Sequence, residues 1–252
     1  MNHGQYLERI GFQGNLAPSL DLLKKLQRTH LMHVPFENLD IHRGQPIVLD
    51  SDKIFEKVVH HRRGGFCYEL NGLFFHLLAT LGFQLKRVAA QVYVEEKGYG
   101  LPFDHLALLV KIDECEYLTD VGFGTFTLGP LKLQLGLEQQ DELGKFVIRQ
   151  HEDGQLRVDQ ISEGRSVPQY IFTTTAQPFE AFAEMCHYHQ HSPDSHFTQK
   201  RLISLPNANG RVTLTGNELK IREGEQVHQS TLEDEAAVEA ALWQYFRVKL
   251  RS

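Results

Sequence analysis

Between Cys67 and Gly82 the apolar residues Leu70, Leu73, Phe74, Leu77, Leu78 and Leu81 recur at intervals of three and four. That spacing marks one buried face of an α-helix, and a chain carrying it must build a core against that face. Gly82 suits the C-terminal stop. Cys67 stands three residues before Leu70, so it occupies the first turn on the buried side. A thiol there meets the positive end of the helix dipole and unpaired backbone N–H groups, which favour the thiolate and lower the cysteine pKa. The same N–H groups can stabilise an oxyanion. Gly64 and Gly65, just before it, permit close backbone approach and unusual dihedrals. Taken alone, the segment fits a buried structural cysteine as well as it fits a nucleophile.

The rest of the chain divides by pattern. Up to Gly82 it reads as helical. Leu20, Leu23 and Leu26 follow Ser19 at near-helical spacing, and Ser51 or Asp52 caps a second helix running through His60, with Ile54, Phe55, Val58 and Val59 as its stripe. The segment VPFENLD between them reads as a loop broken by Pro35. After Gly82 the residues become β-rich, with strands expected over 87–94, 106–112, 116–121, 145–149, 155–158 and 169–174. This middle region, 83–190, suits an antiparallel sheet or a small barrel. A hairpin is expected around Gly210 and Gly216. The chain then ends in a helix capped by Thr231, with Val238, Ala241, Leu242, Tyr245 and Phe246 on one face. The whole reads as an α+β protein.

A nucleophilic thiolate needs a base, and the base needs an orienting group. His105 opens the run HLALLVKI and Asp120 closes the run CEYLTD, with only Asp113 and Glu114 between the two runs. If those two residues form the turn, Ile112 faces Cys115, Lys111 faces Glu116 as a favourable charge pair, and His105 falls opposite Gly122. Asp120 is then the diagonal neighbour of His105 on the same face of the sheet. Asp-Glu is not a favoured hairpin turn, and a slip of one residue would send the two side chains to opposite faces.

Composition excludes several classes. The net charge of −6 argues against a nucleic-acid partner, and hydrophobic and charged shares of 41% and 23% are those of an ordinary globular chain. No apolar run reaches membrane-spanning length, so no membrane partner is expected. The first residues carry no signal-peptide core, so the expected compartment is the cytoplasm. Three cysteines, with no CxxC pair, point to free thiols, Cys115 and Cys186 being read as small buried hydrophobes. The tract holding Cys186, His187, His189, His191 and His196 would put three histidines on one face of an extended strand. Its spacing matches no standard zinc pattern, so no metal is expected and a packing or solvated role is assigned. His30, His33, His60 and His61 read as helix-end residues. The GFG of 122–124 lacks the spacing of a dinucleotide or phosphate-binding loop.

Several segments together resemble the arylamine N-acetyltransferases. RGGFCYELN resembles that family's nucleophile segment, DHLALLV its histidine strand and DVGFG its aspartate turn. VPFEN and SPDSHF resemble two further family segments, in the same order. The resemblance implies a Cys67–His105–Asp120 catalytic triad. It also implies a helical bundle over 1–82 carrying Cys67, a β-barrel over 83–190 carrying His105 and Asp120, and an α/β lid over 191–252. It further implies acetyl-coenzyme A as co-substrate, with no bound cofactor, and an arylamine, hydrazine or arylhydroxylamine as acceptor, in a ping-pong reaction. Phe36, Phe66 and Phe123 are candidates for a water-excluding pocket lining, and Gly122 and Gly124 for close approach of the ligand to backbone. A Glu37–Arg63 pair bracing the cysteine loop is also implied. Rival readings are an amide synthase of the same fold acting on a polyketide chain, a Cys-His-Asp hydrolase or transglutaminase-like enzyme, and a non-catalytic binding module. Oligomeric state is not legible.

Overall fold

The structure, a computed structural model, describes residues 2–250; the last two residues of the expected 191–252 lid lie outside them. The N-terminal part holds helices α1 (His3–Arg9), α2 (Leu20–His33), α3 (Ser51–Phe55) and α4 (Cys67–Thr80). Ser19 caps α2, its hydroxyl accepting from the Leu22 N–H. The cap of α3 is Asp50 rather than Ser51 or Asp52, because its carboxylate reaches the N–H groups of both Asp52 and Lys53. Beyond Phe55 the helix widens into a π turn over Glu56–His60. Helix α4 forms as its periodicity predicts. It ends at Thr80 with Leu81 as its C-cap, and Gly82 follows at φ +90° in the left-handed region. Leu73, Phe74 and Leu78 have no exposed surface, and each contributes roughly 1.5–3 kcal/mol by leaving water.

An antiparallel sheet follows, built from β2 (Gln84–Val94), β3 (Gly98–Tyr99), β4 (His105–Ile112), β5 (Cys115–Thr119), β6 (Leu131–Lys132), β7 (Glu138–Asp141), β8 (Gly144–Gln150), β9 (Leu156–Ser162) and β10 (Arg165–Phe172). The order β6-β5-β4-β2-β10-β9-β8-β7 curls until its two edges meet. Gln139 on β7 joins them: its side chain accepts from the Lys132 N–H at 2.7 Å and donates to the Lys132 carbonyl at 2.9 Å. The result is a nearly closed barrel filled by Phe146, Val158, Tyr170 and Phe172, all buried.

Short helices α5 (Ala183–His191) and α6 (His196–Gln199) lead to a meander of β11 (Leu202–Asn207), β12 (Gly210–Thr215), β13 (Glu218–Glu223) and β14 (Gln226–Thr231), then α7 (Glu235–Phe246). The single hairpin expected here is thus a four-stranded run. A fifth strand joins it from far upstream: β1 (Phe36–Glu37), in the segment read as a loop, pairs with β11. Alternation splits the residues of β11 and β12. Ile203, Val212 and Leu214 pack with Val238, Leu242 and Phe246 of α7, which leaves Leu202, Ser204, Arg211 and Thr213 on the opposite face. Helix α7 is capped by Asp234, not Thr231. Thr231 still belongs to β14, where its hydroxyl donates to Glu218.

Candidate active site

The β4–β5 hairpin adopts the register anticipated from its short connection. Ile112 pairs with Cys115, Lys111 with Glu116 and Leu108 with Thr119. Asp113 takes a positive φ of +51°, which lets an unfavoured Asp-Glu pair make the turn. In place of the expected Lys111–Glu116 ion pair, Lys86 of β2 reaches across β4 to lie 2.9 Å from Glu116. Past the paired stretch, Nε2 of His105 lies 2.6 Å from Oδ2 of Asp120, both side chains being buried. An Nε2–H donating to Asp120 leaves Nδ1 as the free acceptor.

Helix α4 is locked to this pair by Asn71, one turn beyond Cys67. Its amide donates to Asp120 Oδ1 at 2.8 Å and to the Leu106 carbonyl at 2.7 Å, and its oxygen accepts from the Val121 N–H at 2.9 Å. Gly122 then packs against the helix start. A Cβ there would lie 2.7 Å from the Cys67 Cα and 2.7 Å from the Asn71 amide nitrogen. The missing side chain of Gly122 therefore makes room for the cysteine helix. Gly124, at φ +86°, holds a left-handed turn. The role foreseen for Gly64 and Gly65 is half right. A Cβ on Gly64 would fall 1.9 Å from the Pro35 carbonyl oxygen and one on Gly65 2.8 Å from Glu69, so close approach is required. The unusual dihedral, however, belongs to Arg62 at φ +52°.

Cys67, His105, Phe36, Phe123, Gly122 and Gly124 all line one cavity of about 260 Å³. Phe66 does not reach it. It is wholly buried behind the cysteine, edge-on to Tyr68 and Phe197, and its backbone N–H donates to Glu69 to close the first turn. The place foreseen for Phe66 on the wall is taken by Phe197 from the SPDSHF segment.

The electrostatics of Cys67 run against the helix-dipole expectation. Burial pushes the thiol well up, the Asp104 carboxylate adds to this, and a hydrogen bond from the Leu106 N–H acts in the opposite direction. Desolvation of a thiolate inside an apolar wall opposes the partial charge at the helix end. Tyr170 packs 5.4 Å from the His105 ring. Burial and the Asp120 carboxylate push its hydroxyl well up, so it is a neutral phenol beside the pair.

Below the cysteine loop lies a buried charge network larger than the pair foreseen. Arg63 donates through Nε and Nη2 to Glu37 at 2.9 and 3.1 Å, and through Nη2 to Asp40 at 2.8 Å. Lys57 bridges Asp40 and Glu69, each at 2.8 Å. Burial works against the Lys57 ammonium, but Glu69, Glu37 and Asp40 outweigh it and raise its pKa. Arg9 completes the support. Its guanidinium donates to the carbonyls of Val58, His33, Arg62 and Arg63, and burial brings its pKa down to about 10. Sequence reasoning passed over Arg9, Asp40, Lys57, Glu69, Asn71 and Tyr170. Only Asn71 had a local signal, its place one helical turn from Cys67.

The histidine tract forms helix, not strand. His187 and His191 stack on one side of α5 at 4.1 Å. His189 turns inward, with Nδ1 3.0 Å from the Ser195 hydroxyl and Nε2 3.1 Å from Asp104. Among the described residues no group of three or more His, Cys, Asp and Glu side chains could hold a metal ion. His30, read as a helix-end residue, is fully buried, its Nδ1 2.7 Å from the Tyr6 hydroxyl. Cys186 is buried as foreseen, whereas Cys115 at the β4–β5 turn is only partly covered. No helix among the described residues is long and apolar enough to cross a membrane.

Comparison with known proteins agrees with this architecture. The family pattern for N-acetyltransferases matches residues 19–252. The arylamine N-acetyltransferase of Mycolicibacterium smegmatis is 32% identical, over 99% of this chain and 93% of its own. The solved arylamine N-acetyltransferase of Salmonella typhimurium superposes with a TM-score of 0.92 at 29% identity, over 99% of this chain and 92% of that one. That of Mycobacterium marinum, solved in complex with CoA, gives 0.89 at 31%, over 98% and 93%. The fold and the matches define an acyltransferase. The chain belongs to the arylamine N-acetyltransferase family.

Proposed function

We propose that the protein moves an acetyl group from acetyl-coenzyme A to the nitrogen of an arylamine or hydrazine, or to the oxygen of an arylhydroxylamine, through an acetyl-Cys67 thioester. The observation that carries this reading is the 2.6 Å His105–Asp120 contact in the wall of the cavity that Cys67 also lines. His105 Nδ1 takes the thiol proton, and Asp120 holds the tautomer and balances the imidazolium. Because burial opposes a lone thiolate at Cys67, the proton leaves as part of a thiolate–imidazolium pair rather than to solvent. The thiolate adds to the thioester carbonyl, and the first-turn N–H groups of α4 stabilise the oxyanion. Coenzyme A departs with the proton from His105. The acceptor amine then attacks acetyl-Cys67, His105 takes its proton, and the thiol is restored.

In this reading residues 1–82 supply the nucleophile, 83–190 the base and its partner, and 191–252 cover the cavity. The aromatic side chains of Phe36, Phe123 and Phe197 slow hydrolysis by limiting water around the thioester. Glu37 and Arg63 act at a distance, fixing the loop that ends at Cys67.

Intact mass measured after mixing protein with acetyl-coenzyme A alone tests the scheme. One acetyl group is expected on the wild type, none on Cys67→Ala, and the adduct should discharge on adding an arylamine. An acetylated Cys67→Ala protein, or an adduct that arylamines leave untouched, would refute it.

A further inference from the structure

We propose that Arg211 selects acceptors carrying a carboxylate, so that an aromatic amino acid such as an aminobenzoate is preferred over a neutral aniline. This deepens the acetyl-transfer reading and rests on it.

Arg211 lies on the face of β12 turned away from α7, and it lines the same cavity as Cys67 and His105. Its Nη1 donates to the Ser204 hydroxyl at 2.9 Å, and Ser204 in turn lies 2.8 Å from the Thr213 hydroxyl. No carboxylate pairs with it among the described residues. The directly opposed residue on β13 is another cation, Arg222. Burial brings the guanidinium down to about 10, and no anion among the described residues holds it up. The other arginines drawn into the interior near the site are compensated. Arg63 has Glu37 and Asp40, and Arg9 has four carbonyls. A guanidinium has five N–H donors, and a half-buried one with a single hydroxyl partner has donors to spare for an oxyanion.

The acceptor is the favoured source of that oxyanion. Cys67 and Arg211 line the same cavity, of a size that suits one small molecule, so a bound acceptor can face the guanidinium and the reacting sulfur together. The phosphates of coenzyme A are a whole pantetheine arm away from its thioester. Among the described residues Arg211 is the one permanently cationic side chain in the wall, which matches a single carboxylate better than a diphosphate. Asp104, the acidic side chain in that wall, is already engaged by His189 and the Val92 N–H.

The test compares kcat/KM for 4-aminobenzoate and for its neutral methyl ester in wild type, Arg211→Met and Arg211→Lys, with acylation by acetyl-coenzyme A followed separately. The expected result is a drop of about tenfold or more in the carboxylate-to-ester ratio for Arg211→Met, as for loss of a charged hydrogen bond, with partial recovery in Arg211→Lys. The ratio cancels any general loss of folded enzyme. An unchanged ratio would overturn the proposal. So would a defect confined to acylation by acetyl-coenzyme A, which would assign the guanidinium to the donor's phosphates. Failure of the underlying acetyl-transfer reading shows differently, as wild-type protein that gains no acetyl group.

Discussion

At the residue scale the candidate site depends on atoms that are absent as much as on those present. Gly122 sits where a methyl group would overlap both the Cys67 Cα and the Asn71 amide. Gly122→Ala must therefore push α4 away from the Asp120 turn or break the Asn71 clamp. We expect it to lower stability by about 1–3 kcal/mol, the usual cost of overpacking. It should also slow acylation of Cys67 well beyond what that stability loss explains. Chemical denaturation together with rapid-mixing acylation checks this. A variant with wild-type rate would show that the contact is not part of the working geometry. The glycine was visible in the sequence as part of a GFG turn, but its partner was not.

Among the elements, the loop before α4 is held by charge rather than by hydrophobic packing. Arg63 and Glu37 are almost without exposed surface, and Asp40, Lys57 and Glu69 extend the network. Removing one member leaves an uncompensated buried charge, which costs more than the pair itself contributes. Arg63→Ala should cost about 3–5 kcal/mol, read as a lower denaturant midpoint, and slow acylation as the loop loosens. A Glu37→Gln/Arg63→Met double variant should lose less than Arg63→Ala alone, since the orphaned carboxylate at Glu37 is gone. Equal losses would count against the charge-network account. The Glu37–Arg63 pair was legible only through the family resemblance. Lys57 and Glu69 were hidden because nothing in either residue's neighbourhood in sequence announces an ion pair.

At the scale of the whole molecule, pH reports how the helices close on one another. His30 is buried between Tyr6 and Phe74, and desolvation holds its pKa down at about 3. In the unfolded chain it titrates near 6.5. Between those values the unfolded state binds more protons, so stability is lost as pH falls from about 6.5 towards 3. The limiting slope from this group is about 1.4 kcal/mol per pH unit. His30→Asn keeps an acceptor for Tyr6 and removes the titration. Stability measured from pH 7 to 4 should therefore fall less steeply in the variant, whatever its value at pH 7. Parallel curves would mean that His30 is not the acid-sensitive group.

The sequence by itself determined what is local or periodic. Helix α4 follows from intervals of three and four and the α+β class from the change of pattern at Gly82, whereas the β4–β5 register was conditional on an unfavoured Asp-Glu turn and on no slip of one residue, and the structure settled it. The motif order was enough to indicate the family. Only the tertiary structure decided what depends on distant segments. Asn71 meets Asp120 across 49 positions, and Asn38 accepts from the Leu202 N–H across 164. Packing likewise placed Phe197 rather than Phe66 on the cavity wall, turned Arg211 into that cavity, and buried Cys67, which opposes the shift expected from its helix end. Short-range sterics and periodicity are written residue by residue, whereas desolvation and charge pairing are properties of the space that many segments enclose together.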